Sequence, residues 1–301
     1  MRDDLKEEKN FSKIDLYLFL SSIIWGSDYL FAKIALREFS PTNFAAMRTL
    51  ISAVVLIPLF IKLERNRSVS IKHFLWLIGL AFLGTFMNRI FWSIGLSLTT
   101  ASNSALLMAT SPMFVLVAST IFLREEVTFR VVLGFFLSFA GVYLVIRNDW
   151  IGWTMSSDTF RGDLIVIASA VSWAMFSFLA KPLLKVHSSL KVTSYVMFFG
   201  TILFSPFFAN RGIRSWLEIS GLAWFSVIYV AIMGNCLAYL LWVRGIQKIG
   251  PLRTMIYHYV MPVAAILFAV FFLEERMTVL QIFGSGIVFG GIFLARSKGK
   301  N

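Results

Sequence analysis

A single cysteine, Cys236, and three histidines set far apart, His73, His187 and His258, leave this chain with no disulfide framework and no Cys/His cluster at metal-ligand spacing. Charge is scarce too. Only 15% of the 301 residues are charged, where soluble domains carry roughly a quarter. Hydrophobic residues make up 58%, and 31 positions are phenylalanine. That much apolar surface belongs in a lipid bilayer. No Gly-x-x-x-x-Gly-Lys-Ser/Thr loop occurs with which to hold ATP. No nucleophile, base or metal cluster gathers near an interface, which argues against an enzyme, and no cofactor is expected. The formal net charge of +12 would suggest nucleic acid in a soluble protein. In a membrane chain it reads as basic loops that set orientation, with no nucleic-acid partner.

What the chain has is repetition. The stretch from Leu106 to Ile146 occurs twice: adding 150 carries Pro112, Leu123, Glu125, Thr128, Gly134 and Gly141 onto Pro262, Leu273, Glu275, Thr278, Gly284 and Gly291. The same offset of 150 pairs Gly84, Trp92 and Gly95 with Gly234, Trp242 and Gly245. Further back, an offset of 148 pairs Asp15, Trp25, Lys33 and Pro58 with Asp163, Trp173, Lys181 and Pro206. One half-protein is used twice.

Allowing about 20 apolar residues per span, the pattern predicts an all-α integral membrane protein with ten transmembrane helices: 15–36, 41–61, 73–97, 103–123, 129–146, 163–184, 191–208, 219–246, 252–273 and 279–295. Five helices per half is an odd number, so the halves enter the membrane from opposite sides and form two inverted five-helix repeats. The expected organisation is a tail at 1–13, a first repeat at 14–147, an external linker at 148–162, a second repeat at 163–296 and a tail at 297–301. The run from Ile14 to Leu36 is too long for a signal-peptide core and reads as an uncleaved first span. One set of loops carries only Arg37, Arg147, Arg161, Arg211, Arg214 and Arg276, whereas the other set, with both tails, carries seventeen basic residues. By the positive-inside rule both termini face the cytoplasm. Trp150 and Trp153 of the external linker suit a membrane interface.

Away from the ends of the spans the only acid is Asp28. Arg48 and Arg89 also stand well within spans, where an arginine costs about 2.5–3.5 kcal/mol and needs a partner. At 1.5 Å per residue, Asp28, Arg48 and Arg89 all fall about 5 Å to the outer side of the midplane, so they can meet in one layer. Their counterparts in the second half are Phe176, Val196 and Tyr239, so the charge is confined to the first. Two readings stand: a site where an anionic or zwitterionic solute, or a proton on Asp28, exchanges partners with an arginine, and a fixed ion pair that staples helices. Tyr257 and His258 before Pro262 are the polar group of the second half. His258 is either a proton-sensing residue or a hydrogen-bonded packing residue. Trp25, Trp92, Trp173 and Trp242 recur at matched positions and could stack on a flat solute.

Other residues read as structural. Lys33 and Lys181 stand near helix ends, where long stems reach the interface. Glu125 and Glu275 precede helix starts at Thr128 and Thr278, where negative charge complements the helix dipole. Pro112 and Pro262 free a carbonyl, either beside a cavity or at a simple kink. Gly286 and Gly290 make a small-residue face, read first as packing within the bundle and second as a seam for a homodimer through the last helix.

Trp25-Gly26-Ser27-Asp28 followed by Lys33, then Arg48, Pro112 with Leu123-x-Glu125, and Pro262 with Leu273-x-Glu275 resemble the EamA-type members of the drug/metabolite transporter superfamily. The resemblance takes in nearly the whole chain as two tandem EamA units. It implies an exporter or importer of small metabolites, often amino acids or amphipathic compounds, in a bacterial or archaeal cytoplasmic membrane. It also implies a central cavity lined by helices 1, 3, 4, 6, 8 and 9. Family members commonly carry a neutral polar residue where this chain has Asp28, so their coupling mechanism does not transfer directly. The expectation is a secondary transporter, an exporter, working by alternating access around a midplane site between the repeats, with proton coupling open to it. The alternative is a channel or lipid-scramblase-like pathway. Its partners are a small-molecule substrate and membrane lipids.

Overall fold

The computed structural model describes residues 12–99, 101–123, 127–146, 157–208, 216, 218–273 and 279–296. Among these the regular structure is all helix. In chain order the helices are α1 (Lys13–Ala35), α2 (Pro41–Leu63), α3 (Ile71–Leu98), α4 (101–123), α5 (Phe129–Ile146), α6 (Ser157–Leu184), α7 (Ser189–Phe208), α8 (221–249), α9 (251–273) and α10 (Val279–Arg296). Several starts follow from short polar residues at the N-cap. Ser40, Ser70 and Ser220 accept from Asn43, His73 and Ala223 amides, Pro41 occupies the first position of α2, and Ser12 with Asp15 closes a capping box on α1. The break between α8 and α9 falls at Gly250, whose φ of 82° disfavours a side chain, followed by Pro251.

Seven helical runs among the described residues are long and apolar enough to cross a membrane: Lys13–Ala35, Pro41–Leu63, Ile71–Leu98, Ser104–Ile121, Phe160–Leu184, Ser189–Phe208 and Gly221–Ala265. Phe129–Leu144 and Ile282–Ala295 are apolar but shorter. The protein is therefore a multi-pass membrane protein. Helix α6 begins at Ser157, so the last residues of the expected linker are helical. Ser157 and Asp158 are residue types that open helices. Trp150, Trp153, Glu125 and Glu275 lie outside the described residues.

The most extensive packing crosses between the halves. Helix α1 lies on α8 and α9 of the second half, and α6 lies on α3 and α4 of the first, while α2 pairs with α7 and α5 with α10. The α5–α10 seam is built on missing side chains: a Cβ on Gly134 would stand 2.5 Å from the Gly291 carbonyl, and one on Gly141 2.7 Å from that of Gly284. Close backbones then let Ser138 Oγ donate to the Val288 carbonyl at 3.2 Å. The expectation that Gly286 and Gly290 pack within the bundle is not met. Nothing lies within 4 Å of a Cβ built on either. Two residues turn a helix by about 200°, so the packed face of Gly284 leaves Gly286 pointing away. Lys33 fulfils its structural role by donating to the Leu96 and Thr99 carbonyls at 2.7 and 3.0 Å, closing the end of α3.

At one end of the bundle, loops of the two halves are clasped together. His187 Nε2 meets His73 Nδ1 at 3.0 Å, Ser188 Oγ donates to Glu64 at 2.6 Å, and Lys191 Nζ donates to the Asn66 and Ser68 carbonyls at 2.8 Å. Burial, with Lys191 and His73 close by, pushes His187 below the usual histidine range, opposed by Glu64. The unfolded chain then accepts a proton that the folded chain resists. Stability should be full above the ordinary value of 6.5 and fall as pH drops below it. His187→Gln should flatten this slope in thermal unfolding measured across pH; a slope identical to wild type would remove His187 as its source.

Candidate functional site

Glycine places the site. A Cβ on Gly26 would lie 2.7 Å from Ala264 Cβ and 2.8 Å from the Met261 carbonyl, so only glycine lets α1 lie flat on α9. Trp25 and Asp28 then point between the halves. Opposite them, α3 and α8 each widen into a π turn, at Phe82–Met87 and Val230–Ala238. These segments coincide at the repeat offset and contain Gly84 and Gly234. The Gly234 carbonyl accepts from Trp25 Nε1 at 3.0 Å, and a Cβ on Gly234 would fall on the Asp28 carboxylate. A Cβ on Gly84 would fall on the ring of Phe176. Asp28 and Phe176, equivalent in the repeat, thus rest on equivalent glycines, and the two-fold arrangement carries a charge on one side only.

Between these elements lies a cavity of about 50 Å³, lined by Trp25, Asp28, Tyr29, Arg48, Asn88, Arg89, Trp92, Met108, Trp173, His258 and Met261. This is room for a few water molecules. No lining residue is more than 8% exposed, so the cavity is buried within the bundle. Its walls come from α1, α2, α3, α4, α6 and α9. Helix α8, which the resemblance placed in the wall, stands behind it, and α2 takes part through Arg48.

Six of the eight sequence candidates meet there: Asp28, Arg48, Arg89, Trp25, Trp92 and His258. Tyr239 is behind the wall, fully buried, with Arg89 Cζ 5.5 Å above its ring centre. Tyr257 is elsewhere. Its hydroxyl donates to Asp15 near the start of α1, and its ring stands edge-on to Phe19. Adjacent residues of a helix point about 100° apart, and the 3-10 turn at Ile256–Tyr259 widens this to about 120°, so Tyr257 and His258 face different sides. His258 faces the rings of Trp25 and Trp242 at 6.2 and 5.7 Å.

The expected direct contact between Asp28 and an arginine is not formed. No nitrogen–oxygen distance of 4.0 Å or less joins Asp28 to Arg48 or Arg89 among the described residues. Arg48 is held instead by Asn235, whose Oδ1 accepts from Nη2 at 2.8 Å and whose Nδ2 donates to the Arg48 carbonyl at 3.3 Å. The rings of Phe44 and Trp92 lie 5.4 and 5.3 Å from its Cζ. Asp28 is held against Gly234. Asp28 Oδ1, Arg48 Nε and Nη1, and Arg89 Nε and Nη2 are left buried with no hydrogen-bond partner. Charged groups are seldom buried this way unless something else meets them.

Asn235 was missed by sequence reasoning, although a polar residue beside the repeated Gly234 was the available signal. Asn88 was missed too. Its Nδ2 donates to Ser169 Oγ at 3.0 Å and Ser169 Oγ returns a bond to the Asn88 carbonyl at 2.9 Å, tying α3 to α6 at the cavity wall.

The EamA-like transporter family matches residues 12–147 and again residues 160–297. An uncharacterized transporter of Archaeoglobus fulgidus is 28% identical over 287 residues, spanning 95% of this chain and 98% of its own. The uncharacterized transporter YyaM of Bacillus subtilis is 29% identical over 288 residues, 94% of this chain and 93% of its own. A probable terminal-alkyne amino-acid exporter of Streptantibioticus cattleyicolor is 22% identical over 292 residues, 95% of this chain and 94% of its own. A crystal structure of 18% sequence identity superposes with a TM-score of 0.77 over 94% of this chain and 96% of that one, which establishes a shared fold.

Proposed function

The chain belongs to the EamA-like transporter family, and from that premise we propose that it is a secondary transporter, working as an exporter of small organic solutes by alternating access. The observation that carries this reading is the buried cavity between the halves with five unpartnered charged-group atoms around it. A channel would need a continuous polar path, and here Trp25, Trp92, Trp173, Met108 and Met261 interrupt the polar lining. In this reading α5 and α10 cross the bilayer with the longer helices, giving ten spans as two inverted five-helix repeats in the cytoplasmic membrane. The crosswise packing of α1 and α6 supports it, since rocking one half against the other moves both cavity walls.

Purified protein in proteoliposomes should give saturable flux of a member of a radiolabelled metabolite panel, with and without an imposed pH gradient. Flux that never saturates would favour a channel, and no flux of any member would end the transporter reading. Orientation has its own test. In a Cys236→Ala background, Arg37→Cys should react with an impermeant maleimide in intact cells, and Arg65→Cys only after permeabilisation; both positions are exposed. The reverse pattern would invert the topology argued from basic residues.

A further inference from the structure

The charges around the cavity do not balance. Two guanidinium groups, Arg48 and Arg89, face one carboxylate, Asp28, so the formal sum with His258 neutral is +1. A proton on Asp28 or His258 makes the sum more positive, never less. No direct ion pair relieves it, and Asp28, Arg48 and Arg89 are each at most 7% exposed. Net charge held at so buried a site is costly until a counter-charge joins it. Resting on the reading of this cavity as the transport site, we propose that its solute is a small organic anion of net charge −1.

Arg89 presents the docking edge. Nε–H and Nη2–H lie along one side of a guanidinium, the side that forks onto a carboxylate with two parallel bonds. These are the two Arg89 nitrogens left without partners. Arg89 Cζ lies 5.5 Å from the centre of the Tyr239 ring, which supports the group, and neither edge nitrogen has a protein partner. Arg48 is less available, because Asn235 takes Nη2 and Phe44 and Trp92 flank the group. It contributes positive field. Trp25, Trp92 and Trp173 wall the remaining space for the body of the solute. Asp28 limits the charge that fits, since a second uncompensated carboxylate would meet its unpartnered Oδ1.

The test uses two acid–amide pairs of matched shape: L-aspartate with L-asparagine, and phenylacetate with phenylacetamide. Each is titrated into the full chain in lipid nanodiscs, followed by tryptophan fluorescence. In at least one pair the acid should bind roughly tenfold tighter or better. Whether aspartate or phenylacetate leads tells a multiply charged solute from a flat apolar one. Arg89→Gln should abolish the preference, and Arg89→Lys, with charge but no fork, should keep part of it. Equal binding of acid and amide in both pairs, or binding by none of the four, overturns the proposal. A preference that survives Arg89→Gln overturns the assignment of the docking edge. The wild-type comparison stands even if a variant fails to fold. Charge-selective binding without saturable flux would remove the transporter reading and leave the anion preference standing.

Discussion

Gly234→Ala should lower stability by about 2 kcal/mol, within the usual cost of overpacking, and remove transport activity. The new methyl group would occupy the position of the Asp28 carboxylate. Asp28 has little room to retreat, because Gly26 holds α1 directly on α9 and Trp25 is bonded to the Gly234 carbonyl itself. Either the carboxylate leaves the cavity or α1 separates from α8, and each outcome changes the charged site. Gly84→Ala is the control supplied by the repeat. There the methyl group meets the Phe176 ring and, at 3.0 Å, the Tyr239 hydroxyl, neither of which lines the cavity. It should cost similar stability and lower flux less than Gly234→Ala does, since it reaches the site only through Tyr239 beside Arg89. The double variant Asp28→Ala, Gly234→Ala should regain stability without regaining flux. Thermal unfolding and proteoliposome flux on the same preparations decide it. Wild-type flux and melting temperature in Gly234→Ala would show that the Asp28–Gly234 contact has no role.

Position along each helix axis was legible in the sequence, and rotation about it was not. Span boundaries follow from apolar length, so depths counted from them brought Asp28, Arg48 and Arg89 to one cavity. Rotation depends on the angle turned per residue, and this chain changes that angle where it matters. The π turns in α3 and α8 and the 3-10 turn before α9 shift side chains around their helices. Adjacency in sequence grouped Tyr257 with His258, and the family resemblance placed α8 in the wall, where instead its Gly234 and Asn235 support Trp25 and Arg48 from behind. The repeat pointed to Gly84 and Gly234 as equivalent, but not to which side chains lean on them. Of the two readings of these charges, the fixed ion pair is the one without a direct contact: equal depth allowed it, whereas Asn235 and Gly234 hold the two charges on separate supports.

That separation gives the last prediction, which concerns Asp28 and Arg89 taken singly and together. Were they in contact, removing either would strand the other and cost about 3–5 kcal/mol, and removing both would restore the loss. They make no direct bond but share one cavity, so removing either should cost less than for a contacting pair, and the double variant should recover part of the loss. Asp28→Asn and Arg89→Gln should both fold. Each should lower flux at least tenfold, about 1.4 kcal/mol in barrier height, and the double variant should stay inactive. Arg48 should behave differently. Arg48→Gln loses the bond to Asn235 Oδ1 and the contacts with Phe44 and Trp92, and it leaves a buried amide short of its partner. A stability loss of about 3 kcal/mol is expected from a hydrogen bond to a charged group together with lost packing. Thermal unfolding in detergent and flux per folded molecule separate the cases. Recovery of both stability and flux in the Asp28→Asn, Arg89→Gln double variant would restore the ion-pair staple. Wild-type flux in a well-folded Asp28→Asn protein would remove Asp28 from the working site.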